Sequence, residues 1–135
     1  MIVLDASAAL AAMFDDETAW AADELLALGD RTPFVVPGHW SVEIASSLAA
    51  AERRKRILAE QADILIRIIR RLQVVVDEPN PDLAFDVLLP LARQHRMSVY
   101  DTAYLELAER VDAPLATFDK TLARVAEERG VSLVF

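Results

Sequence analysis

Along the chain, short apolar runs alternate with longer segments whose apolar residues recur at helical spacing. Ile2 to Leu4 reads as a strand, Ser7 to Phe14 as a helix, and Thr18 to Leu28 as a second helix stopped by Gly29. Phe34 to Val36 is a strand ended by Pro37-Gly38, and a long helix follows from about His39 to Arg56. Ala59 to Leu72 carries Ala62, Leu65, Ile69 and Leu72 one turn apart, flanked by Ile64 and Ile68, so its apolar stripe is broad. Val74 to Val76 is a third strand. Asn80-Pro81 opens a helix as N-cap and first helical residue, and Pro90 predicts a kink or break within it. Ser98 begins the next helix, Leu115 to Phe118 is a strand, Lys120 to Arg129 is a helix closed by Gly130, and Leu133 to Phe135 is a last strand. Strands alternating with helices predict an α/β fold: a central, mostly parallel sheet of about five short strands flanked by helices. No repeat, low-complexity tract or linker interrupts the pattern, so residues 1–135 are expected to form one domain.

Composition narrows the picture. Of 135 residues, 54% are hydrophobic, which is enough for a full core and argues against disorder. There is no cysteine, which excludes disulfides, a thiol nucleophile and thiolate metal ligation. The start, Met1-Ile2-Val3-Leu4-Asp5, has no basic region before an apolar run, and no uncharged stretch reaches the ~18 residues a membrane span needs. A cytoplasmic location without membrane contact is the expectation. The net charge of −8 runs against a nucleic-acid ligand, since phosphates are held mainly by Lys and Arg. Two basic runs stand against it: Arg53-Arg54-Lys55-Arg56, and Arg67, Arg70 and Arg71. The plain reading of both is a solvated helix face with cations near helix C-termini.

The candidate chemistry lies in four acids, Asp5, Glu43, Asp101 and Asp119, each at a strand-to-helix handover or in the first turns of a helix. In a wound α/β sheet these handovers gather along one edge, where ligands bind. Carboxylates brought together there repel unless protons or a cation compensate, and hard oxygen ligands suit Mg²⁺ or Mn²⁺. Each acid also has a plainer explanation. Asp5 and Asp119 are good N-caps, and Asp101, three residues after Ser98, completes a capping-box variant. Glu43 is harder to dismiss, because it borders the apolar stripe of Trp40, Ile44, Leu48 and Ala51 and needs a partner there. Ser47 supports a polar pocket beside it. His39 and His95, the only histidines, read as surface or helix-end residues. Tyr100 and Tyr104 are candidates for base stacking or for helix packing.

Four stretches in order, Ile2-Val3-Leu4-Asp5-Ala6-Ser7, Trp40-Ser41-Val42-Glu43-Ile44-Ala45, Tyr100-Asp101-Thr102-Ala103-Tyr104-Leu105-Glu106-Leu107-Ala108 and Thr117-Phe118-Asp119-Lys120-Thr121-Leu122, resemble the PIN-domain ribonucleases, above all the VapC-like toxins of bacterial toxin-antitoxin pairs. The resemblance covers essentially the whole chain. It implies a PIN-like fold in which Asp5, Glu43, Asp101 and Asp119 form an acidic quartet holding one or two Mg²⁺ or Mn²⁺ ions. Ser7 and Thr117 would line the pocket. It also implies an RNA substrate, a cognate antitoxin protein that wraps the toxin, and a homodimer. The position three after Glu43, often asparagine in relatives, is Ser46 here.

Phosphodiester hydrolysis needs an activated water, stabilised phosphoryl oxygens and a supported leaving oxygen, all within reach of carboxylate-held Mg²⁺. Asp5 and Asp101 are assigned direct metal contact, and Glu43 and Asp119 contact directly or through water. Other readings are a housekeeping PIN nuclease, a non-catalytic PIN-like binding module whose acids only cap helices, and a phosphotransferase of the haloacid-dehalogenase type. The last resembles this chain poorly, because Ser7 stands where a second aspartate is expected.

Overall fold

The computed structural model describes residues 1–12, 22–78 and 80–135. Four parallel strands, β1 (Ile2–Leu4), β2 (Phe34–Pro37), β3 (Val74–Asp77) and β4 (Leu115–Ala116), form a sheet in the order β3-β2-β1-β4. Around it stand α1 (Ala6–Ala11), α2 (Ala22–Arg31), α3 (Trp40–Arg53), α4 (Ala59–Ile69), α5 (Leu89–His95), α6 (Val99–Val111) and α7 (Lys120–Glu128). All residues of β1, β2 and β4 are buried, as expected for parallel strands covered on both faces, whereas edge strand β3 leaves Val75 and Val76 half exposed.

The topology already marks a place for a ligand. From β1 the chain steps outward through β2 to β3, then returns to lay β4 on the other side of β1. The strand order therefore reverses between β1 and β4, and clefts open at the carboxyl ends of strands at such a reversal. Helix α6 packs over β1 and β2, burying Ala103, Tyr104, Leu105, Leu107 and Ala108. Glu106 on the same helix is buried too, but Arg110 compensates it at 2.7 Å and reaches on to both oxygens of Asp77, tying α6 to the end of β3.

Several expected boundaries shift for identifiable reasons. Helix α2 runs through Gly29 to Arg31 rather than stopping there. Gly29 is a packing residue: a Cβ on it would meet Leu72 Cδ2 at 2.9 Å and Phe34 Cε2 at 3.2 Å. The beginning expected at Thr18, and Phe14 at the expected end of the first helix, lie outside the described residues. Asn80 caps as expected, its Oδ1 accepting from Leu83 N at 2.8 Å. The interruption expected at Pro90 is drawn out upstream as a π-helical stretch, Leu83–Leu88, where Leu89 N reaches back to Ala84 O. These wider turns accommodate a residue with no N–H to give and a ring that crowds the preceding turn. The fourth strand is shorter than expected, because the Thr117 hydroxyl and the Phe118 N–H are bonded to Asp5 and Ser7 instead of a strand neighbour. The expected fifth strand, Leu133 to Phe135, reduces to one parallel bridge from Leu133 to Leu115. Phe135 is nonetheless stacked on Phe118, ring centroids 4.3 Å apart.

The stripe on α4 is mostly core. Ala62, Leu65 and Leu72 are buried and Ile69 packs against them, while Ile64 remains half exposed. Both basic runs lie on exposed surface, as a solvated face predicts.

Candidate functional site

Asp5 follows the last residue of β1 and is 1% exposed. A carboxylate there is costly unless hydrogen-bonded, and two hydroxyls supply the bonds. Ser7 Oγ donates to Asp5 Oδ2 at 2.5 Å and Thr117 Oγ1 donates to the same oxygen at 2.6 Å. Both hydroxyls also accept: Phe118 N donates to Ser7 Oγ and Asp119 N to Thr117 Oγ1, each at 3.0 Å. The end of β4 is thus folded onto the end of β1 by one small polar network, which is why the strand stops at Ala116.

Asp119 closes this network as the N-cap of α7, its Oδ1 accepting from Leu122 N at 2.7 Å. Here the capping explanation is correct, and it holds the acid beside Asp5. Asp5 itself makes no side-chain cap to α1. Asp101 sits in the first turn of α6, where its backbone N donates to Ser98 Oγ at 3.0 Å, so half of the expected capping box is present. Glu43 sits in the first turn of α3, whose buried face is Trp40, Ile44, Leu48 and Ala51, the stripe expected from the sequence. Its Oε2 accepts from the hydroxyl of Tyr104 at 2.8 Å.

Three of the four acids feel the charge of their neighbours. Burial is the largest influence on Asp5, Glu43 and Asp101, and it raises the pKa of each. Hydrogen bonds from Ser7 and Thr117 pull Asp5 back, and Tyr104 pulls Glu43 back. The charge of Asp119 raises Asp5 and Asp101, that of Asp5 raises Glu43 and Asp101, and that of Asp101 raises Glu43. Among the described residues no cationic side chain is a principal influence on any of the three.

Sequence reasoning missed two supports. Tyr104 is fully buried, its phenol held well above the usual range by burial first and then by the charges of Glu43 and Asp5. It is both a packing residue and the anchor of Glu43. His39, expected as a surface or helix-end residue, is the N-cap residue of α3, and its ring stands edge-on between Tyr100 and Tyr104, with centroids 5.1 and 5.3 Å away. Its Nε2 lies 3.4 Å from Glu43 Oε2 without hydrogen-bonding angles. Burial lowers the His39 pKa, against the opposing effects of the Tyr100 backbone and Asp5, which favours the neutral ring. The i,i+4 spacing of His39 and Glu43 was the available signal.

Among the described residues no three acids or histidines converge closely enough to make a finished ligand set. The donors nonetheless fit a hard divalent cation. Carboxylates close enough for the charge of one to bear on the next, beside two hydroxyls, are the chemistry Mg²⁺ or Mn²⁺ prefers.

Comparison with known proteins identifies the family. The PIN domain family matches residues 2–128. VapC ribonuclease Mb0985 of Mycobacterium bovis and ribonuclease VapC9 of Mycobacterium tuberculosis are each 35% identical over 123 residues, covering 91% of this chain and 89% of theirs. The crystal structure of PAE2754 from Pyrobaculum aerophilum superposes with a TM-score of 0.73 at 22% identity, covering 98% of this chain and 83% of that one, a likeness of fold. With matches spanning nearly its whole length, the chain belongs to the PIN-domain family, among its VapC-like members.

Proposed function

We propose that this protein is a metal-dependent endoribonuclease that hydrolyses RNA phosphodiester bonds as the toxin of a toxin-antitoxin pair, with residues 1–135 acting as one PIN-like domain. The observation that carries the reading is the gathering of the acids around the point where strand order reverses, with Thr117 bonded to both Asp5 and the backbone of Asp119, and Glu43 and Asp101 within reach of the Asp5 charge. The names of the mycobacterial relatives support ribonuclease activity.

Asp5 and Asp101 are the direct metal ligands in this reading, and Glu43 and Asp119 ligate directly or through water. When bound, Mg²⁺ or Mn²⁺ supplies charge stabilisation at the phosphoryl oxygens and lowers the pKa of a water. The chain's own residues do the positioning. Ser7 and Thr117 hold one oxygen of Asp5, and Tyr104 holds one oxygen of Glu43, so neither carboxylate must be ordered during the reaction. Glu43 or Asp119 also orients the attacking water in this reading.

A cognate antitoxin and a second copy of the chain are the expected protein partners. The exposed side chains of Leu58, Val75, Val76 and Phe85 supply apolar surface for them. No helix among the described residues is long and apolar enough to cross a membrane, and the proposed site of action is the cytoplasm.

The test is RNA cleavage by the purified protein with Mg²⁺ or Mn²⁺ and with a chelator, beside Asp101→Asn. Cleavage that needs metal and disappears in the variant, with growth arrest on expression that the variant relieves, is the expected result. Full activity in Asp101→Asn overturns the mechanism.

A further inference from the structure

Next to the acids lies a pocket of about 360 Å³ between the start of α3 and the start of α6, within the size range of small-ligand sites. Glu43 and Asp101 form the side it shares with the acid cluster. Val42, Ser46, Ser47 and Tyr100 line the rest. The two tyrosines of α6 take opposite roles here. Tyr104 is fully buried and tied to Glu43, whereas Tyr100, one turn before it, is 63% exposed. Tyr100 is not loose, because the ring of His39 meets it at 60° with centroids 5.1 Å apart. An aromatic ring open to solvent, braced by a second ring and lining a pocket beside the acids, is a stacking platform.

We infer that this pocket holds one base of a single-stranded RNA, stacked on Tyr100 and flanking the phosphate that reaches the acids. The inference rests on the ribonuclease reading and names how that site holds its substrate. With a net charge of −8 the protein's hold on phosphates is limited to its two exposed basic runs, so contacts to bases have to add affinity. Stacking provides it, and single strands alone offer bases free to stack. The hydroxyls of Ser46 and Ser47 stand where a base edge would enter, available as donors or acceptors. A serine at position 46 fits this role by leaving the pocket wider than a larger amide side chain would.

Two readouts test the inference on the full chain. Binding is measured in chelator by fluorescence anisotropy, using a short dye-labelled RNA of random sequence and an abasic ribose-phosphate chain of equal length. KM and kcat for the same RNA are measured with Mn²⁺. Wild type should bind the RNA at least about 5-fold more tightly than the abasic chain, the lower end of what one base–aromatic stack contributes. Tyr100→Ala should erase that preference and raise KM by a similar factor with little change in kcat, and Tyr100→Trp should restore both. A Tyr100→Ala protein that binds and cleaves RNA like wild type overturns the base pocket and leaves the ribonuclease reading standing. A wild-type protein that neither binds nor cleaves RNA overturns both.

Discussion

Thr117 Oγ1 donates a 2.6 Å hydrogen bond to Asp5 Oδ2 across 112 positions of sequence, joining the end of β4 to the end of β1. The same hydroxyl accepts from Asp119 N, so one small side chain positions two of the four acids. Thr117→Val, which keeps the shape and loses the hydroxyl, should destabilise the protein by about 1–3 kcal/mol and should push the Asp5 pKa further up. Thr117→Ser should be close to wild type. Denaturant unfolding of both variants, with carboxyl NMR titration of Asp5, checks this; an unperturbed Thr117→Val would mean the hydroxyl does not hold the acid.

Tyr104→Phe removes the hydroxyl that donates to Glu43 Oε2 while leaving the buried ring in place. That bond lowers the Glu43 pKa against burial, so its loss should raise the Glu43 pKa further. Stability should fall by roughly 1–2 kcal/mol, and metal-supported cleavage should weaken as Glu43 loses its fixed orientation. A Glu43 titration that does not move in the variant would contradict the role given to Tyr104.

The shared charge of the site makes a prediction about pH. Asp5, Glu43 and Asp101 are raised above their ordinary values of 3.8, 4.5 and 3.8. Each therefore binds its proton more tightly folded than unfolded. The resulting stabilisation is full below those ordinary values and is lost as pH rises from there through the folded-state values. At neutral pH without metal the site is thus a source of instability. Asp119→Asn removes the charge that raises Asp5 and Asp101, and asparagine caps α7 about as well as aspartate. The variant should melt about 2–4 °C higher than wild type in chelator at pH 7, with a smaller rise when Mn²⁺ is added. If the acids were only caps, the two proteins would melt together and respond alike to metal.

The acids were legible in the sequence because each stands at a junction that topology must bring to one edge, and a carboxylate bordering an apolar helix stripe demands a partner. What escaped was set by contacts between distant residues. Gly29 looked like a helix stop because glycine favours that role, yet the approach of Leu72 and Phe34 decides its identity. Phe118 looked like strand, but its N–H is taken by Ser7 Oγ, a bond that exists only once β4 lies beside β1. Local periodicity also could not separate Tyr100 from Tyr104, which share a face of α6 and differ only in what covers them.

The central claim is that the four acids act as one cation site that supports RNA cleavage, and Asp5, the most buried of them, tests it most directly. The measurement is the single-turnover cleavage rate of a single-stranded RNA as Mn²⁺ is titrated into wild type and Asp5→Asn. Wild type should show a rate that rises with Mn²⁺ to saturation and vanishes in chelator, and Asp5→Asn should be slower by at least about 100-fold, on the scale of losing one essential electrostatic group. Cleavage that persists in chelator, or an Asp5→Asn protein with the wild-type rate and metal dependence, would contradict it.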